Sequence, residues 1–186
     1  MGLIFGLAMA YSPPSRFFAA ALLSTVLLLS GCCANNICDC KGEAQADAIK
    51  LVFGPTFATA DLDTLLIQRY PLTITRATRP ETVTIIRTAA QARDTLYLNN
   101  ITPFAQSGTA KLNQYVYVVK YYATPHRTRP VTVLNIDNIT LKGTLAGNGC
   151  CTCYTNTQKA AAVRKDSTIA VRSVDLTTNP ILYIAK

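Results

Sequence analysis

The chain has 186 residues, a net charge of +8 and 49% hydrophobic residues. This composition excludes a wholly disordered chain and suits one packed domain. The basic excess favours anionic neighbours, such as lipid headgroups or acidic glycans, although scattered charges of this kind are also typical of an ordinary soluble surface.

The first 31 residues have the parts of an export signal, in the expected order. Arg16 is their one charged residue, and the apolar and small residues 17–29 follow it. This run of 13 residues is shorter than the ~20 residues that a membrane-spanning helix needs. The next four residues, Leu29-Ser30-Gly31-Cys32, resemble the lipobox of bacterial lipoproteins. The resemblance implies cleavage before Cys32 and lipidation of its thiol by palmitate-type acyl chains, with Met9 as a second candidate start.

Six cysteines remain after Cys32, in two groups of three. An even count in an exported protein favours disulfides, because envelope compartments are oxidising. We expect bridges between the two groups that fasten the N-terminal segment to a late turn. A thiolate site for copper or zinc, or a redox site, is the alternative left open. The six residues are Cys33, Cys38, Cys40, Cys150, Cys151 and Cys153.

The domain organisation follows from these features: residues 1–31 are a signal peptide, residues 32–47 a lipidated cysteine-rich tether and residues 48–186 the folded domain. Short runs rich in alternating apolar residues fill that domain, with Pro, Gly and Asn between them. They predict an all-β fold, a single antiparallel β-sandwich, of which an immunoglobulin-like arrangement without tryptophan is one form. The predicted strands are Ala48–Phe53, Thr64–Tyr70, Thr82–Arg87, Thr95–Leu98, Gln114–Tyr122, Val131–Ile136 with Ile139–Lys142, Lys159–Val163, Thr168–Val174 and Ile181–Ile184.

The run Tyr115–Tyr122 is the clearest strand. Because side chains alternate along a strand, Tyr115, Tyr117, Val119 and Tyr121 share one face. Both faces are largely apolar, which predicts a central strand. Helical periodicity is weak, and only Thr88–Arg93 is compatible with a turn or two of helix.

No residue pattern indicates an enzyme. His126 is the only histidine, and no serine stands in a nucleophile turn near it. Asp61 and Asp63 form either a carboxylate pair or, more commonly, caps at a strand entry. We therefore expect a non-enzymatic protein with no catalytic residue, no metal and no cofactor.

Two basic loops are the candidate ligand site. If both lie at one end of the sandwich, their guanidinium groups can bind an anionic glycan or lipopolysaccharide. Tyr121 and Tyr122 lead into the second loop and would stack on sugar rings. The first loop contributes Arg76 and Arg79, and the second contributes His126, Arg127 and Arg129.

Three tripeptides, at positions 63–65, 94–96 and 166–168, are similar to the O-glycosylation signal of the Bacteroidota envelope. Each has Asp, then Ser or Thr, then a residue that bears a methyl group. The resemblance implies modification at Thr64, Thr95 and Ser167.

The chain as a whole resembles the small lipoproteins of Bacteroidota, a group with no assigned activity. The resemblance is carried by LSGCC at 29–33, the cysteine-rich tether, the segment Asp63–Pro71 and the segment Gly149–Tyr154. It implies an outer-membrane lipoprotein that faces the periplasm or the surface. The expected partners are the lipid membrane, through the acyl chains, and an envelope protein or anionic glycan. Nucleic acid is not among them.

Overall fold

A computed structural model describes residues 40–73, 79–124, 128–148, 151–165 and 170–186. Inter-residue contacts divide the chain into two units. The first comprises Met1–Asp39 and Gly147–Thr152, of which residues 147–148 and 151–152 are described. The second comprises Cys40–Ala146 and Cys153–Lys186 and contains the folded domain.

The described residues form one short helix and nine strands, which confirms the predicted all-β class. The helix α1 spans Glu43–Asp47. Single 3₁₀ turns lie at Thr59–Asp61 and Leu112–Gln114. The strands are β1 Ile49–Phe53, β2 Thr64–Pro71, β3 Glu81–Ile86, β4 Leu96–Leu98, β5 Tyr115–Tyr122, β6 Pro130–Asn148, β7 Cys151–Arg164, β8 Arg172–Asp175 and β9 Ile181–Ile184.

The nine strands form two sheets. The larger has the order β3-β2-β5-β6-β7-β8, and the smaller has the order β4-β1-β9. Strand β1 is antiparallel to β4 and parallel to β9, and the pairs β2–β3, β2–β5, β5–β6 and β7–β8 are antiparallel. The division into six and three strands differs from the four and three of an immunoglobulin constant domain.

A single apolar core lies between the sheets. Alternate residues of β1 and β5 contribute to it, as the period of two in a strand requires. Phe57, from the turn after β1, packs edge-on against Phe53 and Tyr121, with ring centroids 5.5 and 5.2 Å apart. Burial of such aromatic and aliphatic side chains is the main stabilising term, and it makes this domain a β-sandwich.

Several elements differ from the sequence prediction, among them β6, residues 88–93 and α1. Strand β6 is continuous, with Asn138 in the left-handed region (φ 50°) between the two predicted halves. Asn tolerates that conformation better than most residues, so the strand continues through it. Residues 88–93 form hydrogen-bonded turns rather than a helix. The helix α1 was not predicted, because five residues carry too little periodicity.

The domain also starts earlier than predicted. Residues 40–47, assigned to the tether, contain α1 and belong to the same unit as the sheets. Asp47, at the end of α1, is fully buried. The predicted tether therefore overlaps the folded domain from Cys40 onwards.

Candidate functional site: the N-terminal clamp

The start of the domain is held by a group of contacts that we call the N-terminal clamp, formed by Cys40, Asp47, Cys153, Asn156 and Lys159. A disulfide joins Cys40 to Cys153, with Cα atoms 5.2 Å apart and a sequence separation of 113 residues. It ties the segment just before α1 to strand β7. The predicted bridge between the two cysteine groups is therefore confirmed for this pair.

Two polar side chains of β7 bind the C-terminal end of α1. The Lys159 ammonium donates to the carbonyl oxygens of Ala46 and Ala48, at 2.5 and 3.2 Å. The Asn156 amide donates to the Ala46 carbonyl at 2.8 Å and to Asp47 Oδ1 at 3.0 Å. The last carbonyls of a helix have no partner within the helix, and a cation there is favoured by the helix dipole. The clamp thus caps α1 from the facing strand.

The two charged side chains of the clamp, Asp47 and Lys159, are buried. Lys159 is 3% exposed, and burial is the main cause that lowers the pKa of its amine. Burial also raises the pKa of the Asp47 carboxyl, although the Asn156 hydrogen bond and the nearby lysines oppose this. The pKa of Tyr154 is raised by burial and by the Asp47 charge. Asp47 and Lys159 are thus buried charges whose partners lie within the protein.

One oxygen of the clamp is unsatisfied. Asp47 Oδ2 is buried without a hydrogen-bond partner. A buried oxygen of this kind costs about 1–3 kcal/mol, and more when it carries charge. The raised pKa of Asp47 agrees with this cost, because it means that the folded state favours the neutral carboxyl over the carboxylate.

We expect the substitution Asp47→Asn to stabilise the protein at neutral pH by about 1 kcal/mol. Asparagine keeps an oxygen for the Asn156 amide and removes the buried charge. Because the folded pKa of Asp47 is raised, its contribution is complete below about pH 4 and is lost as the pH rises through the folded pKa. Urea unfolding should therefore show a gain at about pH 8 and little difference at about pH 4. A variant that is less stable than wild type at the higher pH would contradict this assignment.

An exposed ion pair adds to the clamp at its edge. Lys111 Nζ contacts Glu43 Oε1 of α1, and this hydrogen bond raises the pKa of Lys111. Both side chains are 45% exposed. Ion pairs in water contribute little to stability, about 0–1 kcal/mol. The disulfide and the buried hydrogen bonds therefore account for most of the attachment.

The cysteines leave little support for a thiolate site. Cys151 is disulfide-bonded, as are Cys40 and Cys153. Sulfur in a disulfide does not supply the thiolate that copper or zinc binds. Within the described ranges there is also no group of three or more His, Cys, Asp or Glu side chains suited to a metal.

The described residues of the two basic loops, Arg79 and Arg129, lie apart. Arg79 is exposed just before β3, at the end where β3 pairs with Arg69 of β2. Arg129 is exposed just before β6, at the end where β6 pairs with Tyr122 of β5, beside Leu65. From Leu65, which pairs with Tyr121, to Arg69, which pairs with Glu81, β2 advances four residues, or ~13 Å at ~3.3 Å per residue. The condition of a shared end thus fails for Arg79 and Arg129, because the strand register places them towards opposite ends of β2.

The prediction that Tyr121 and Tyr122 stack on sugar rings is wrong for Tyr121. Tyr121 is 5% exposed and packs on Phe57, so its ring cannot stack on a sugar. Tyr122 is half-buried.

The two described glycosylation candidates are both partly covered. Thr64 is half-buried as the first residue of β2, and Thr95 is half-buried just before β4. Their modification stays a prediction. The remaining predicted site residues lie outside the described residues: Cys32, Cys33, Cys38, Arg76, His126, Arg127, Cys150 and Ser167.

A second buried polar group surrounds Asp61, for which the sequence left open a carboxylate pair with Asp63 or a cap at a strand entry. Asp61 Oδ1 accepts from the backbone N–H and the hydroxyl of Thr124, at 2.8 and 2.7 Å. Asp61 Oδ2 accepts from the N–H of Ala58 at 3.0 Å and from Lys186 Nζ at 2.8 Å. Burial alone would raise the pKa of this carboxyl, but the hydrogen bonds outweigh it and hold the pKa well below its usual value. Through these hydrogen bonds Asp61 connects the start of β2 to the end of β5 and to Lys186.

Arg69 is a third buried charge that the sequence analysis did not single out. Its guanidinium lies between the rings of Phe104 and Tyr115, 4.6 Å from each centroid. It also donates to Glu81 Oε2 at 2.7 Å and to the Ala105 carbonyl at 2.9 Å. The burial of Arg69 could have been predicted from the alternation of side chains along a strand. Leu65, Ile67 and Arg69 are alternate residues of β2, so all three face the core.

Comparison with known proteins gives no relative. No protein-family model, no curated protein and no solved structure matches this chain. Within the residues that the structure describes, no helix is long and apolar enough to cross a membrane.

Proposed function

We propose that this protein is an envelope lipoprotein, anchored to a membrane through Cys32, whose β-sandwich is a non-enzymatic structural or binding module. The observation that carries the proposal is the N-terminal clamp. It begins eight residues after Cys32, with a disulfide that spans 113 residues of sequence. A lipid anchor acts on the protein through its N-terminal segment, and the clamp joins that segment to the sheet by a covalent bond.

Two further features support this proposal. Disulfides form and persist in oxidising compartments, which agrees with export. The Lys159 ammonium is buried against the backbone carbonyls of Ala46 and Ala48, which agrees with a structural role for the clamp. The proposal places the chain in the cell envelope, on the outer membrane, facing the periplasm or the surface. A further partner would be an envelope protein or an anionic glycan.

The anchor can be tested by metabolic labelling with an alkyne analogue of palmitate in a bacterial host. We expect the wild-type protein to carry the label and to sediment with membranes. The variant Cys32→Ser should lack the label and should accumulate as unprocessed precursor, because both processing and acylation need the thiol. Cys33→Ser is the matched control, and it should label like wild type. Equal labelling of the wild type and of Cys32→Ser would contradict the proposal.

A further inference from the structure

The three-stranded sheet has an outer face that we call the outer tyrosine face, made of Lys50, Val52, Tyr97, Ile181 and Tyr183. Alternation along the strands turns these side chains away from the core, because their neighbours Leu51, Leu96, Leu98, Leu182 and Ile184 are buried. Strand register places Lys50 beside both Tyr97 and Ile181, and Val52 beside Tyr183. The five residues are therefore contiguous.

This face exposes aromatic surface and a cation together. Tyr183 is 73% exposed and Tyr97 is 45% exposed. Lys50 Nζ lies 5.7 Å from the centroid of the Tyr97 ring. None of the five residues is acidic. Tyrosine and lysine are the side chains that favour the interface between water and lipid, because each combines an apolar body with a polar end.

The face lies close to the point where the N-terminal segment enters the domain. β1 follows α1 directly and is the first strand after the clamp. The charges of Lys50 and Lys41 both act on Lys159 in the clamp, where they add to the effect of burial in lowering its pKa. Seven residues separate Cys32 from Cys40, so covalent geometry keeps the two Cα atoms within ~30 Å of each other.

We infer that the outer tyrosine face rests on the headgroup region of the membrane that holds the lipid anchor. This inference rests on the proposed function, and it names the surface that the domain presents to the bilayer. A short link to the anchor gives the membrane a high effective concentration at this face. The exposed Lys41 and the half-buried Lys50 complement anionic headgroups, and the two tyrosine rings exchange contacts with water for contacts with the lipid interface.

The absence of tryptophan from the chain makes the inference testable with a single reporter. We would place tryptophan on the face as Tyr183→Trp, and on the exposed side of β3 as the control Thr84→Trp. Each full-length lipidated variant is reconstituted into vesicles of phosphatidylethanolamine and phosphatidylglycerol. Brominated lipids, which quench tryptophan on contact, then replace the ordinary lipids. Circular dichroism of both variants verifies that the sheets are intact.

We expect the brominated lipids to reduce the emission of the Tyr183→Trp variant about twofold and to leave that of Thr84→Trp nearly unchanged, since interfacial side chains sit within ~5–10 Å of the acyl boundary. Equal quenching of the two variants, or none in either, would overturn the inference while the protein still floats with the vesicles. If the labelled protein neither acquires lipid nor floats, the proposed function fails and the inference fails with it. The flotation and quenching results therefore separate the two.

Discussion

Replacement of Cys40 and Cys153 by alanine together is expected to lower the free energy of unfolding by about 2–5 kcal/mol. The bond closes a loop of 113 residues, and its loss returns that conformational freedom to the unfolded chain. The double variant avoids leaving a free thiol that could exchange with the disulfide of Cys151. Urea unfolding of wild type and variant, under oxidising conditions, measures the difference.

Thr155→Ala is the matched control for this experiment. Thr155 is exposed on β7, two residues after Cys153, and its truncation should change stability by less than about 0.5 kcal/mol. The helix α1 should also lose protection against amide hydrogen exchange in the double variant, because the covalent bond would be lost and non-covalent contacts, such as those of Asn156, Lys159 and the Glu43–Lys111 pair, would remain. If the double variant were as stable as wild type and α1 equally protected, the proposed contribution of the disulfide to the N-terminal clamp would be wrong.

Replacement of Asp61 by asparagine is expected to lower stability by about 2–4 kcal/mol at neutral pH. Both carboxylate oxygens accept from donors: Thr124 on one side, and Ala58 with Lys186 on the other. An amide nitrogen in place of either oxygen would set a donor against a donor. The residue is 1% exposed, so water cannot replace the lost partners.

The pH dependence of stability gives an independent check on Asp61. Its folded pKa lies below the unfolded value of about 3.9, so its contribution is complete above about pH 5 and is lost as the pH falls toward the folded pKa. Wild type should therefore lose stability more steeply than Asp61→Asn when the pH is lowered from about 5 to about 2. Parallel curves for the two proteins would contradict the role given to this carboxylate.

The two buried aspartates make a matched pair. Asp47 has one oxygen without a partner and a raised pKa, whereas Asp61 has both oxygens bonded and a lowered pKa. The same substitution is thus expected to stabilise at one position and to destabilise at the other. Burial raises the pKa of both carboxyls, but at Asp61 the hydrogen bonds outweigh burial, whereas at Asp47 burial outweighs the hydrogen bond from Asn156.

The strands could be predicted because their signal is local. Tyr115–Tyr122 alternates over eight residues, and its buried face is the predicted one. Ile181–Ile184 was predicted with its observed bounds. Strand β7 was predicted only from Lys159 onwards, because its first half is polar and cysteine-bearing. That half is a strand because it is the second arm of the long β6–β7 hairpin, which local composition does not reveal.

The clamp could be predicted only in part. The two cysteine groups indicated a long-range bridge, and Cys40–Cys153 is one. The partners of Lys159 lie 111 and 113 residues away, and Lys186 lies 125 residues from Asp61, so no local pattern joins them. The alternation of side chains along β7 did indicate that Lys159 is buried, because Lys159 lies on the same face as the buried Ala161. A lysine on the apolar side of a strand indicates a buried polar contact.

The mass of the N-terminal peptide of the membrane-extracted protein tests the central claim most directly. The account predicts that the mature chain begins at Cys32 and that this peptide carries a diacylglyceryl group, with or without a further acyl chain. A mature chain that begins elsewhere, or a Cys32 that carries no lipid, would contradict the account of a lipid-anchored β-sandwich.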